Sequence, residues 1–286
     1  MAETRTLIAL VDGSAYSESV CHHAAWLAGR SGAAVKLYHV LGRREGAARA
    51  DYSGAIRLGA RSALMDELSA LDEQRAKLAR AQGRAILEDA EALVRADGVT
   101  AVETRLRSGD IVETVADKDA QAEMIVIGKR GEAADFAKLH LGSNLERIVR
   151  ASHRPVFVAS RRFKPVERVL IAYDGGTSAM KAVDYVARDP VFAGLAVTVA
   201  MAGSGNAEMR RSLDQARATL EAGGHAAEVR HLDGTPEKGL GELIEAGAAD
   251  LLVMGAYGHS RIRAMVIGST TSEMIRTCKV PVVLMR

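Results

Sequence analysis

Short runs of consecutive apolar residues punctuate the chain, and they come in two matching series. Thr6 to Ser14 (TLIALVDGS) is echoed by Arg168 to Gly176 (RVLIAYDGG), each an apolar run closing on Asp-Gly. Ala122 to Gly131 (AEMIVIGKRG) is echoed by Ala249 to Gly258 (ADLLVMGAYG), each closing on Gly-x-x-Gly. Arg154 to Ser160 (RPVFVAS) is echoed by Val280 to Arg286 (VPVVLMR), each opening with a proline. Runs this short, unbroken by polar residues and bounded by glycine, are the mark of strands buried on both faces of a parallel sheet. Strands are therefore predicted near 5–11, 34–41, 99–107, 122–128 and 155–160, and again near 168–173, 195–201, 226–232, 250–255 and 280–286. Between them apolar positions recur at helical spacing, as Ala179, Ala182, Val183 and Val186 do. Strand alternating with helix in each half predicts βαβ units, and right-handed crossovers turn these into two tandem doubly wound α/β folds with helices on both faces.

The repeat divides the chain into a first domain, 1–160, a short charged linker, 161–167 (RRFKPVE), and a second domain, 168–286. The halves differ mainly by an insertion near 43–98. Leu64, Leu68, Leu71 and Leu78 recur there at helical spacing, followed by Ala79, Ile86, Ala90 and Leu93. The insertion is expected to be a longer crossover helix packed on the sheet, with a lid or partner surface as the alternative. Each half ends on an apolar strand whose open edge would invite pairing. The matching strand of the other half is the expected cover, giving a pseudo-twofold inside the chain; a homodimer through sheet edges is the other way to cover it.

Composition narrows the classes. Aromatics are 4% of residues, so the cores are aliphatic and no stacking platform for single-stranded nucleic acid is expected. The net charge of +2 comes from interspersed signs, which implies neither DNA nor an anionic membrane as partner. The two cysteines, Cys21 and Cys278, fall in separate halves without a CxxC pair, so a reducing, cytoplasmic setting is expected. No apolar run approaches the roughly 18 residues of a membrane span, and no leader is expected.

Candidate chemistry gathers where strands end, because open parallel sheets bind ligands beyond the carboxyl ends at the point where strand order reverses. In the second half Gly255 and Gly258 are followed, nine residues on, by Gly268-Ser269-Thr270 opening an amphipathic helix. Glycines admit a phosphate close to the backbone, and Ser269 and Thr270 are expected to cap the helix while offering hydroxyls and N–H groups to an anion. His259, Arg261 and Arg263 add donors. Singly, each glycine is an ordinary turn and each hydroxyl an ordinary cap; in this order after a strand they read as a phosphate cradle.

The spacing G-x2-G-x9-G-S/T, the Asp closing the first strand and the Val-Pro-Val of the last strand resemble the universal stress protein family in its tandem form. The resemblance implies five-stranded sheets of order 3-2-1-4-5 and binding of an adenine nucleotide, ATP or ADP/AMP, with Mg²⁺ bridging its phosphates. It places Asp174, Gly175 and the stretch from Val199 to Met201 by the adenine, Gly255 by the ribose and phosphates, and Gly258, Gly268, Ser269 and Thr270 around the triphosphate. A second site is implied in the first half at Asp12, Gly13, Val40, Gly128, Gly131, Gly142, Ser143 and Asn144. That half departs from the pattern: ten residues separate Gly131 from Gly142, and Glu132 and Asp135 enter the loop. Ser14, Lys129 and Arg130 favour a nucleotide there nonetheless.

Rival readings are weaker. No G-x-x-x-x-G-K-[ST] loop exists. An aspartyl phosphoacceptor at Asp12 or Asp174 lacks the accompanying acidic pair and lysine. His22 and His23 are adjacent on a helix and so point about 100° apart, and they read, with His225 and His231, as surface or core histidines; Cys21 reads as a small buried hydrophobe. Met254, Met265 and Met274 belong to packing. The expected function is that of a stress-response module regulated by adenine nucleotide and acting on an unidentified protein partner. The alternatives are a nucleotide-free interaction module and a slow ATPase, and no catalytic residue is assigned.

Overall fold

The computed structural model describes residues 5–42, 58–119, 122–129, 131, 143–203, 207–256 and 268–286. The first half runs β1 (Thr6–Leu10), α1 (Ser17–Ser31), β2 (Ala34–Leu41), α2 (Leu58–Ala96), β3 (Val102–Ser108), α3 (Ile111–Asp119), β4 (Met124–Gly128), α4 (Ser143–Ala151) and β5 (Val156–Ala159). The second runs β6 (Arg168–Ala172), α5 (Thr177–Arg188), β7 (Ala196–Ala202), α6 (Ala207–Ala222), β8 (Ala227–Leu232), α7 (Pro236–Glu245), β9 (Leu251–Gly255), α8 (Ser269–Thr277) and β10 (Val282–Met285). The ten strands lie where the apolar runs place them.

The strands form one sheet, in the order β3-β2-β1-β4-β5-β10-β9-β6-β7-β8. Each half is thus internally parallel in the order 3-2-1-4-5, and the two expected sheets are fused into one. The join is β5 against β10, antiparallel, with Val158 opposite Val282 and Phe157 opposite Val283. The edge that each half would have left open is covered by its counterpart, as the apolar terminal strands require. An antiparallel join relates the halves by a pseudo-twofold across the sheet, so their strand carboxyl ends point to opposite edges. The edges that remain are β3 and β8, both mostly solvent-facing and bearing Glu103, Arg105, Arg107, Glu228 and Arg230. Such charge discourages further strand addition.

Alternation along each strand feeds two cores. Leu7, Ala9, Met124, Val126 and Phe157 face one layer, made by α1, α2, α5 and α6. Ile8, Leu10, Ile125, Ile127 and Val156 face the other, made by α3, α4, α7 and α8. Both layers run unbroken across the join. The linker is packed as well: Val166 is buried, and the Phe163 ring stands 5.0 Å from His23 and 5.8 Å from His22.

The insertion departs from expectation. It is helical, but α2 is 39 residues long and only its end lies on the sheet. Gly83, Leu87, Ala90 and Val94 are buried against α1, β2 and β3, whereas no residue from 65 to 82 is. Gly83 sets the boundary, since a Cβ there would stand 2.7 Å from Leu106 and 2.8 Å from His39. Helical spacing showed where a helix forms and left open where the neighbouring sheet stops.

Candidate functional site

Strand order reverses between β1 and β4 in one half and between β6 and β9 in the other. The second reversal brings Asp174 and Gly175, at the end of β6, beside Gly255, at the end of β9. Gly175 takes φ +78, a left-handed conformation natural to glycine, and the Asp174 carboxylate accepts a 2.8 Å hydrogen bond from the Gly176 N–H. The chain then enters α5 with Gly176 as its cap and no side-chain hydrogen bond at that cap. α8 begins in the same way: Gly268 is the cap, and no side chain caps it. Ser269 is therefore the first helical residue and not the cap expected from its type.

Both helix starts touch Gly255. A Cβ on Gly255 would stand 2.8 Å from Ser178 Cβ and 3.4 Å from the Ala179 backbone nitrogen of α5. From α8, the Thr271 hydroxyl donates to the Gly255 carbonyl at 3.1 Å. Two glycine-capped helix N-termini thus converge on one strand end where a side chain has no room. The first N–H groups of each helix have no partner within it, and the helix dipole makes their position attractive to an anion.

The remaining expected residues divide. Ser269 is exposed and Thr270 half-buried at this edge, but the Thr270 hydroxyl donates to Glu237 of α7 at 2.5 Å. That hydrogen bond holds the Glu237 carboxyl below its ordinary range. Val199 and Met201 are wholly buried, Val199 in the core layer of α5 and α6. Their side chains cannot hold a base; at the end of β7 the accessible groups are Ala202 and Gly203, the latter at φ +122. Met201 instead forms the floor beneath Gly175, about where its Cε would be 4.0 Å from a Cβ there. Gly258, His259 and Arg261, with Arg263, lie outside the described residues.

Several neighbours escaped the sequence reading. Tyr173, buried under Asp174, shares a 2.8 Å hydrogen bond with Ser212 of α6. Ser178 and Glu237 complete the rim. Each is a single polar residue on a helix, with no local signal to set it apart; only the proline opening α7 marks Glu237 as a first-turn acid.

The first half builds the same corner differently. The Ser17 hydroxyl accepts from the Asp12 and Gly13 N–H groups at 3.1 and 3.0 Å and donates to the Asp12 carboxylate, which also accepts from the Ser14 N–H. Ile86 of α2 lies over the turn, 2.8 Å from where a Cβ on Gly13 would be. Gly131 lies against the Asp12 carboxylate, its would-be Cβ 2.7 Å from Oδ2. Val40 and Gly128 are half-exposed at their strand ends, Ser143 opens α4, and Asn144 is exposed in its first turn. Gly142, Arg130, Glu132 and Asp135 lie outside the described residues.

Lys129 corrects an expectation. It is buried, at 9% exposure, and donates to the Cys278 carbonyl at 2.6 Å. Cys278 is the cap that ends α8, so the ammonium sits at the negative end of a helix in the other half. It fastens the halves together. Other ties run beside it: Arg5 pairs with Glu123 and, at 2.6 Å, with Asp189. Arg286 donates to the Arg150 carbonyl at 2.9 Å.

His22, His23, Cys21 and Cys278 are held by the fold. His22 pairs with Asp97 at 2.5 Å. His23 is buried between Phe157 and Phe163, and burial drives its pKa down to about 4. Burial pushes the Cys21 thiol up to about 12, which removes thiolate reactivity. Among the described residues no three His, Cys, Asp or Glu side chains gather as a metal cage, and no helix is long and apolar enough to cross a membrane.

A doubly wound α/β repeat with a glycine-lined corner at each strand-order reversal defines a class, and comparison with known proteins gives it a family. The universal stress protein family matches residues 3–160 and 193–286. A universal stress protein of Synechocystis is 34% identical over 286 residues, spanning 99% of this chain and 100% of that protein. The crystal structure of a universal stress protein from Archaeoglobus fulgidus superposes with TM-score 0.74 at 21% identity, covering 98% of each chain, a likeness of fold. The chain belongs to the universal stress protein family, as a tandem pair of its domains.

Proposed function

We propose that the second half, 168–286, binds an adenine nucleotide, ATP or its ADP and AMP relatives, and that occupancy sets the shape of the 256–268 loop and so the choice of a protein partner. The observation that carries this is the corner at Gly255, where two glycine-capped helix starts meet a strand end that excludes any side chain. Backbone N–H groups at two helix starts capped by glycine suit a phosphate. Gly255, Gly258, Gly268, Ser269 and Thr270 would hold the phosphates, with His259 and Arg261 as added donors. Asp174 and Gly175 would meet the ribose, and the end of β7 would meet the base through its backbone.

The carboxylates of Asp174 and Glu237 would repel a bare triphosphate and fit a nucleotide carrying Mg²⁺. A ligand that prefers one loop arrangement shifts the population toward it by its differential affinity, which makes the module regulatory without catalysis. The cytoplasm is the compartment this reading requires. Titration calorimetry of the whole chain with ATP and Mg²⁺ tests it, alongside mass spectrometry of nucleotide released on denaturation. One site, lost in Gly255→Val and kept in Gly131→Val, is expected. Loss in Gly131→Val alone would move the site to the first half, and no heat from the native chain would leave a nucleotide-free interaction module.

A further inference from the structure

The longest helix among the described residues leaves residues 65–82 uncovered. From Gly83 onward α2 packs on the sheet, but residues 65–82 are exposed or half-exposed throughout. At 1.5 Å per residue they make a rod about 27 Å long. A solvated rod would carry polar residues on every face, and this one does not. Leu68, Leu71 and Leu78 fall on one stripe, at spacings of three and seven, with Leu71 45% and Leu78 63% exposed; Met65 beside them is 55% exposed. These are the large apolar side chains that stand open on the described surface.

Charge along the rod is segregated. Asp66, Glu67, Asp72 and Glu73 occupy the first part; Arg75, Lys77 and Arg80 occupy the second. The helix dipole acts only over the terminal turns, and this change of sign falls in mid-helix. An acidic stretch followed by a basic stretch is complementary to itself read backwards. Two such rods side by side and parallel would oppose like charges, whereas antiparallel, centred near residue 74, they set each acidic stretch against the other's basic stretch. The same arrangement brings the two leucine stripes face to face and sets Arg75, on the border of the stripe, beside Asp72 of the second copy on the same flank. It is a twofold, self-complementary contact of the kind that closes a dimer.

We infer that the projecting part of α2 is a dimerisation arm, and that its occupant is the same arm of a second copy of this chain, antiparallel, held by Leu68, Leu71 and Leu78 and registered by the segregated charges. It is independent of the nucleotide reading, since the arm lies outside the Gly255 corner.

Analytical ultracentrifugation of the full chain across a concentration series is the test. The native chain is expected to be a dimer that weakens as salt is raised. Leu71→Glu with Leu78→Glu should give a monomer with unchanged ATP heat, because both side chains face solvent in the single chain and lie outside the Gly255 corner. Orientation is read by oxidative cross-linking, for which Cys21 and Cys278 are buried and give no background. Gln74→Cys lies near the twofold and should cross-link; Met65→Cys should not. A monomeric native chain, a dimer that survives both glutamates, or cross-linking of Met65→Cys would each overturn the assignment. A monomer that floats with anionic vesicles would give the arm to a membrane surface instead.

Discussion

The two halves share a fold and differ at the same corner. After Asp12 the chain needs the Ser17 hydroxyl to gather the Asp12 and Gly13 N–H groups, and α1 begins only at Ser17. After Asp174 two glycines suffice, and α5 begins at Thr177 with Gly176 as its cap. The first corner satisfies its own donors, is covered by Ile86 and lends its lysine to the join. A repeat can thus preserve backbone topology while building the same strand end with different contacts in its two copies.

Breaking that contrast should have its largest effect on binding. Gly255→Val puts side-chain carbons where Ser178 already stands, and ATP affinity by calorimetry should fall about a hundredfold or more, while Gly131→Val changes it less than about threefold, the difference between filling a phosphate site and crowding a closed turn.

The next effect concerns the residue eleven positions past each aspartate: His23 past Asp12, Tyr185 past Asp174. Tyr185 meets Asp189, and burial raises its pKa. His23 donates from Nδ1 to the Ser19 carbonyl at 2.7 Å, and its Nε2 is buried without a partner. With the folded pKa near 4 against 6.5 unfolded, the unfolded chain alone takes up a proton in that window. Stability is therefore full above pH 6.5 and declines as pH falls toward 4, by roughly 3 kcal/mol at most. Urea unfolding at pH 7 and pH 4.5 should show the loss, and His23→Leu should flatten it; an unflattened profile would place the proton uptake elsewhere.

Lys129→Met leaves the Cys278 carbonyl buried and unpaired. A loss of about 1–3 kcal/mol in thermal unfolding is expected, with ATP affinity in the second half unchanged. If ATP affinity fell instead, the Lys129–Cys278 tie would bear on the binding site through α8. The smallest effect compares Asp110 with Glu237. The Arg147 guanidinium holds the Asp110 carboxyl below its ordinary range. Its contribution is present above about pH 4 and lost as pH falls through the depressed value, and Arg147→Ala should cost only a few tenths of a kcal/mol near neutral pH for so exposed a pair.

The strands were legible because a strand buried on both faces leaves an unbroken apolar run, and the repeat made each reading a check on the other. Covering of β5 by β10 followed from the cost of an open edge. What stayed hidden depends on distance in sequence. Lys129 looked like a phosphate donor beside its glycines, and only the arrival of Cys278 from the other half shows otherwise. Val199 and Met201 sit at the right place along the chain with their side chains turned into the core. Glu237 reaches Thr270 across the interval from 237 to 270 and has no local mark.

The antiparallel join of β5 to β10 also fixes how the protein answers to its own abundance. Partners tied by residues 161–167 meet at an effective concentration that the linker sets, so dilution cannot part them. Two copies of a domain that always find each other in one-to-one ratio are free to become unlike. Contact between arms of separate molecules has no such tether, and it alone would rise and fall with the amount of protein in the cell.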